Sequence, residues 1–253
     1  MLIIKIGGSA VTDKSRPLSL DLAPIQPLAR LIRRSGEEVV LIHGGGSFAH
    51  PIAKAYGLGG GVRDEGQLIG VALTTAALEM LSHAITIELA KGGVAAYYVR
   101  TGDAFRAEGG RAVLADAEPI LDAMRRGAVP MLHGDVVRDS ELGFSIISGD
   151  AIAEALARLL RPRAALFLMD VDGVYSEGPG RGRLLRRLAR GEDSVRVGGE
   201  GIDVTGGLSG KLRHAWGIVE AGARVFLCSI RDLESLEAVV GGGEPPKCTE
   251  LAL

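Results

Sequence analysis

Residues 39–51, Val39-Val40-Leu41-Ile42-His43-Gly44-Gly45-Gly46-Ser47-Phe48-Ala49-His50-Pro51, leave few options for a chain that contains them. Four apolar residues, two of them β-branched valines, predict a buried strand. The three glycines that follow allow a tight turn in which backbone N–H groups stand open with no Cβ in the way. Ser47 and Pro51 mark the start of a helix just past the turn, so its free N–H groups and positive dipole end face whatever the glycines enclose. Such an arrangement suits an anion. His50 falls on the expected first turn of that helix, where an imidazole N–H reaches the same anion.

The same punctuation recurs along the chain. Residues 2–6 (Leu-Ile-Ile-Lys-Ile) predict a strand that runs into Gly7-Gly8-Ser9. A helical pattern over 20–34 follows, with Pro24 and Pro27 restricting its opening and Gly36 stopping it. Strand, helix and strand, each strand ending in glycine, predict a parallel α/β layer whose ligands gather at the carboxyl ends of the strands. A long apolar-periodic helix over 65–91 either covers the sheet or meets a second copy. Strands over 94–99 and 129–132 flank a helix over 116–126 capped by Asp116, and a hairpin-like passage spans 136–144. Ser148, Gly149 and Asp150 open another helix, where Asp150 either caps the helix or meets the substrate.

Arg161-Pro162 separates two halves of one domain, 1–160 and 161–253. The second half begins with a strand over 164–169 and the acidic turn Asp170-Val171-Asp172-Gly173-Val174-Tyr175, which lacks the third acid and closing Glu of a calcium loop. Residues 176–200 read as a surface excursion with a short helix over 184–189. Thr205-Gly206-Gly207-Leu208-Ser209-Gly210-Lys211 opens a helix to 222 and resembles a P-loop, but Thr205 replaces its first Gly and Leu212 its last Ser or Thr. A strand over 225–230, a helix over 232–240 and a tail strand over 248–251 complete an α/β fold, an open αβα sandwich with a mainly parallel central sheet.

Composition narrows the functions available. A net charge of -2 and scattered basic residues give no support for a nucleic-acid surface. No stretch reaches the roughly 18 uninterrupted apolar residues of a membrane span. Cys228 and Cys248, without zinc-ligand spacing, read as reduced structural thiols of a cytoplasmic protein. The sequence has no Asn and only two Gln, a depletion that points to heat adaptation or to a GC-rich genome.

Three glycine turns at strand-to-helix junctions imply several phosphate groups handled along one sheet edge. Gly44-x-Gly46-x-x-Ala49 also fits a loose dinucleotide fingerprint, but the acids some 20 residues on, Asp64 and Glu65, sit in a glycine loop rather than at a strand's end. Phosphoryl transfer needs mainly positioning and neutralisation of charge. Lys5, Lys14 and Lys211 are half of the six lysines, and all lie in or beside these turns. The strand pattern alone would put Lys5 at a solvent-facing edge; its company puts its ammonium beside the turn.

Lys5-x-Gly7-Gly8-Ser9, His43-Gly44-Gly45-Gly46-Ser47, the 170–175 turn and Gly206-Gly207-x-x-x-Lys211 together resemble the amino acid kinase family over almost the whole chain. Within it, the run from Gly44 to Pro51 and Thr12-Asp13-Lys14 are similar to the members that act on isopentenyl phosphate. The resemblance implies a homodimer that transfers the γ-phosphoryl of ATP, with Mg2+, to that monophosphate. By motif position, Lys5, Lys14 and Lys211 would neutralise the moving group, with His50 as the acceptor's histidine. Gly8, Gly45, Ser148, Gly149 and Asp150 would meet the substrate. Gly7, Ser9, Gly46, Asp170, Asp172, Gly173 and Gly207 would meet the nucleotide, and no residue is expected to form a protein-only metal site. Ala49 departs from the Gly usual before the histidine. A fosfomycin-type kinase and a non-catalytic nucleotide-binding regulator are the competing readings.

Overall fold

The computed structural model describes residues 1–13, 15–191 and 207–253; Lys14, Thr205, Gly206 and the end of the predicted 176–200 excursion lie outside them. In chain order the elements are β1 (Leu2–Ile6), α1 (Ile25–Ser35), β2 (Val39–His43), α2 (Gly46–Ala55), α3 (Glu65–Lys91), β3 (Ala96–Tyr98) and α4 (Thr101–Ala104). Then come β4 (Phe105–Glu108), β5 (Arg111–Leu114), α5 (Glu118–Arg125), β6 (Val129–His133), β7 (Asp135–Asp139), β8 (Gly143–Ile147) and α6 (Gly149–Leu160). The chain closes with β9 (Ala164–Met169), β10 (Arg187–Ala189), α7 (Gly207–Glu220), β11 (Arg224–Ser229), α8 (Leu233–Val240) and β12 (Cys248–Ala252).

Eight strands form the main sheet in the order β10-β12-β11-β9-β1-β2-β6-β3. The pairs from β11 through β3 are parallel, and β12 returns antiparallel to β11. Alternation along β1 fixes everything that follows. Leu2, Ile4 and Ile6 pack into one core with Leu28 of α1, Phe48 of α2, Leu81 of α3 and Leu236 of α8. Ile3 packs into the other with Ile120 of α5, Ile152 of α6 and Trp216 of α7. Since side chains alternate along a strand, Lys5 faces the α6 and α7 layer from the middle of the sheet. It is buried, so the edge reading of Lys5 fails.

Two other expectations are corrected. The short helix expected over 184–189 is instead the strand β10, paired in parallel with β12. Cys228 and Cys248 are not reduced: the antiparallel register sets them opposite one another, with Cα atoms 4.6 Å apart, and they form a disulfide. Their separation of 20 residues gave no hint, because α8 folds back to return the chain alongside β11.

A second sheet, β5-β4-β7-β8, contains the expected hairpin and a further one, β4–β5, that the sequence pattern did not reveal. Asp139 knots the two together, accepting from the N–H groups of Gly109, Gly110, Glu141 and Leu142 and from the Ser145 hydroxyl. Burial opposes its ionisation, but these donors prevail and hold its carboxyl below the usual carboxylate range.

α3 occupies the predicted span, starting at an Asp64 cap that accepts from Gln67 N. By length and mean hydropathy (1.6) it is apolar enough to cross a membrane, and only 39% of the most apolar stretch is buried. Its inner face packs on the sheet through Leu81, Ile85 and Leu89. Its outer face leaves Ile69, Leu73, Met80 and Ile87 exposed.

Candidate active site

The carboxyl ends of the parallel strands are stitched together by the glycines that follow them. Gly7 N donates to Leu168 O, Gly44 N to Ile6 O, and Gly134 N to His43 O, so the sheet's ladder continues one residue into each turn. The turns then touch. A Cβ on Gly8 would stand 2.2 Å from Gly46 N, and one on Gly44 would stand 2.8 Å from Gly8 N, distances no side chain tolerates. Gly46 has φ +50, a conformation few other residues adopt.

Thr12, noted from sequence only as part of Thr12-Asp13-Lys14 and with no role of its own, fastens this contact. Its Oγ1 donates to Gly8 O at 2.8 Å and accepts from Ser47 N at 3.0 Å. α2 begins at Gly46, one residue before the expected start, so His50 lies on the second turn and not the first; Pro51 lies inside the helix. Having no N–H, Pro51 leaves the Ser47 carbonyl without its helical donor, and Leu18 N takes that place at 3.2 Å. The proline thus ties the 15–20 loop to the start of α2. Among the described residues no acceptor holds the N–H groups of Gly45 and Gly46, which remain at the helix's positive end. The methyl of Ala49 lies over Gly45, where an added Cβ would come within 2.4 Å of it.

Beside this floor stands a buried charge cluster. Asp150 Oδ1 is 2.7 Å from Lys5 Nζ, and both Asp150 oxygens are 3.4 Å from Lys211 Nζ. Asp150 therefore does not cap α6; Ser148 does, accepting from Ala151 N. Burial pulls the Lys5 pKa down to about 8 despite the neighbouring carboxylate. For Asp150 burial works the other way, and the two ammonium groups outweigh it and hold the carboxyl below its usual range. Lys211 also lies 5.7 Å from the centre of the Phe167 ring. Gly149 leaves room for Lys5: a Cβ there would be 3.3 Å from Lys5 Cε.

The acidic turn joins the rim from the other side. Ser9 Oγ donates to Asp170 Oδ1 at 3.1 Å, and Tyr175 OH to Asp172 Oδ2 at 3.1 Å. Val174 N donates to Thr249 Oγ1 of β12, whose hydroxyl donates to Leu185 O, so the carboxy-terminal strand holds this turn. Gly173 sits against Thr249, and Gly207 opens α7 with φ +58. A cleft of about 530 Å3 opens beside Ser9, Thr12, Asp13, Ser19, Asp21 and Asp170.

Of the residues singled out from sequence, Lys5, Gly7, Gly8, Gly44, Gly46, Gly149, Asp150 and Lys211 are thus brought together at one rim. Ser9 and Asp170 adjoin it. No group of three or more His, Cys, Asp or Glu with metal-binding geometry occurs among the described residues.

The chain as a whole is similar to known proteins. The model of the amino acid kinase family matches residues 1–229. The isopentenyl phosphate kinase of Methanothermobacter thermautotrophicus is 34% identical, over 96% of each chain. A solved isopentenyl phosphate kinase superposes with a TM-score of 0.85 at 28% identity, and a structure described as an isopentenyl phosphate kinase substrate complex with 0.81 at 29%; both alignments cover 100% of each chain.

Proposed function

The chain belongs to the amino acid kinase family, and from that premise we infer that it transfers the γ-phosphoryl group of ATP to isopentenyl phosphate, giving isopentenyl diphosphate and ADP. One observation carries the reading. Two anion-binding turns meet backbone to backbone at Gly8 and Gly46, with two ammonium groups beside them, which suits two phosphates held end to end.

In this reading an oxygen of the acceptor phosphate attacks the γ-phosphorus while the bond to the β-phosphate oxygen breaks. Charge on the moving group spreads over its outer oxygens, and Lys5 and Lys211 would offset it. Asp150 would keep both ammonium groups in place without touching the phosphates. Gly45 and His50 would hold the acceptor, with Ser148 and Gly149 closing over it; Gly7, Gly8, Ser9, Gly46, Asp172, Gly173 and Gly207 would face the nucleotide, and Lys14, outside the described residues, would also neutralise the moving group. Residues 1–160 would form the acceptor half and 161–253 the nucleotide half. Magnesium binds nucleotide phosphates with few protein ligands and keeps most of its waters. Asp170, exposed at the rim and held there by Ser9, fits such a role, and the ion would supply further neutralisation.

The test is His50→Ala. It should lose most turnover of isopentenyl phosphate while retaining ATP binding, read by ADP release and by nucleotide titration. Full turnover by the variant would remove His50 from the site, and faster wild-type turnover of another phosphonate or alkyl phosphate would point to the fosfomycin-type reading.

The outer face of α3 supports a homodimer. Ile69, Leu73, Ala76, Met80, His83 and Ile87 recur at alternating spacings of four and three, the period of a helix-pairing seam. Met80, Ile69 and Ile87 are 60%, 57% and 55% exposed. Met80→Glu combined with Ile87→Glu should convert a dimer to a monomer in sedimentation, whereas a monomeric wild type would exclude the seam.

The lack of Asn supports a heat-adapted protein; the disulfide removes the reduced thiols on which a cytoplasmic location was expected, and a cytoplasmic location stays compatible with it only in a hyperthermophile, whose intracellular proteins carry disulfides. A melting temperature within the mesophile range of about 45–65 °C would contradict this.

A further inference from the structure

The neighbouring strands β2 and β6 end alike, in His43-Gly44 and His133-Gly134, and the two histidines are register partners. Both side chains are fully buried, with ring centres 5.2 Å apart. Each Nδ1 lies 3.1 Å from the carbonyl of its own following glycine. Each Nε2 meets a hydroxyl, Ser82 at 2.8 Å for His43 and Tyr98 at 2.9 Å for His133. Ser82 Oγ also lies 3.0 Å from Leu78 O, within its own helix.

A carbonyl oxygen only accepts, so Nδ1 must carry the proton. In a neutral ring Nε2 is then an acceptor: the Tyr98 hydroxyl can donate to that of His133, and the Ser82 hydroxyl to that of His43 when its single proton turns from Leu78 O to the ring. Burial, with His133 adding to it, lowers the His43 pKa to about 3, consistent with a neutral ring. The same device built twice, on adjacent strands, is more than a histidine filling space.

Its consequence for His43 follows from peptide geometry. In a planar trans peptide the C=O of one residue and the N–H of the next point in opposite directions. A bond that fixes the Gly44 carbonyl therefore fixes the direction of the Gly45 N–H. That N–H has no acceptor among the described residues and stands where α2 begins.

We propose that His43 is a positioning residue that aims the Gly45 N–H at the acceptor's phosphate by donating its Nδ1–H to the Gly44 carbonyl. The proposal rests on the kinase reading above. It assigns His43 a part in binding the acceptor without contact to it.

Asparagine places its amide nitrogen near the Nδ1 position, and glutamine places one near Nε2. His43→Gln should weaken isopentenyl phosphate about 10- to 100-fold, in kcat/KM and in Kd by calorimetry, with KM for ATP within about twofold of wild type. His43→Asn should restore most of that loss. Equal losses in the two variants, or an equal rise in KM for ATP, would overturn the assignment. Should His43→Gln fail to fold, Ser82→Ala removes the hydroxyl that fills Nε2 and should weaken the same Kd about 3- to 10-fold, no change being the contrary result. A wild type that binds isopentenyl phosphate without turning it over leaves the Kd comparison decisive. One that does not bind it refutes the functional reading, and this assignment with it.

Discussion

Lys5→Met is expected to lower kcat about 100- to 1000-fold, the usual cost of removing one donor aimed at charge developing in a transition state. The fold should survive, because methionine has similar bulk and Asp150 keeps Lys211 as a partner. The pH profile offers a second check on the same residue. With its pKa lowered to about 8, Lys5 carries its charge below that pH and loses it above. In the wild type kcat should therefore fall as pH rises through about 8. A plateau running on to pH 10 would show that this ammonium does not limit the reaction.

Asp150→Asn should do a different kind of damage. It leaves Lys5 buried, with Lys211 half-buried nearby, and no counter-charge between them; removing one partner of a buried ion pair typically costs about 3–5 kcal/mol. Denaturant unfolding should show a loss of that order, together with a fall in kcat. Acid should produce a milder version in the wild type. A carboxyl held below its usual pKa contributes stability above the unfolded value of about 3.9, and that contribution is lost as pH falls through the folded value. If Asp150→Asn kept wild-type stability, the two lysines would have to find other partners, and the cluster would not be the centre of the site.

Lys5 also marks the boundary between what local sequence fixes and what it leaves open. The turns at Gly7-Gly8 and Gly44 to Gly46 were legible, because glycine directly after a β-branched run both ends the strand and frees the backbone to turn. The span of α3 was legible from its sustained periodicity alone; its Asp64 cap was not recognised. Lys5 was ambiguous, since a strand's position within its sheet is decided by its neighbours: β9 lies 162 residues on in the pairing of Leu2 with Ala164. The partnership of Lys5 with Asp150 is nearly as distant in sequence. Cys228 and Cys248 failed for the same reason, because their register depends on an antiparallel return that no local pattern announces. The Leu184–Ala189 segment has helical residues, yet its last part completes a sheet edge beside β12, where tertiary pairing overrides propensity. Thr12 and His43 escaped a functional reading because each acts on another residue's backbone, and spacing does not show such contacts.

The bonds from Gly7, Gly44 and Gly134 to carbonyls at the ends of β9, β1 and β2 have a mechanical consequence. Gly7 is buried and Gly44 and Gly134 are half-buried; their amides lengthen the ladder of the buried central strands by one residue, so their hydrogen exchange should follow opening of that ladder. Any closure over bound phosphates therefore falls to groups outside this ladder, moving against a base that does not yield.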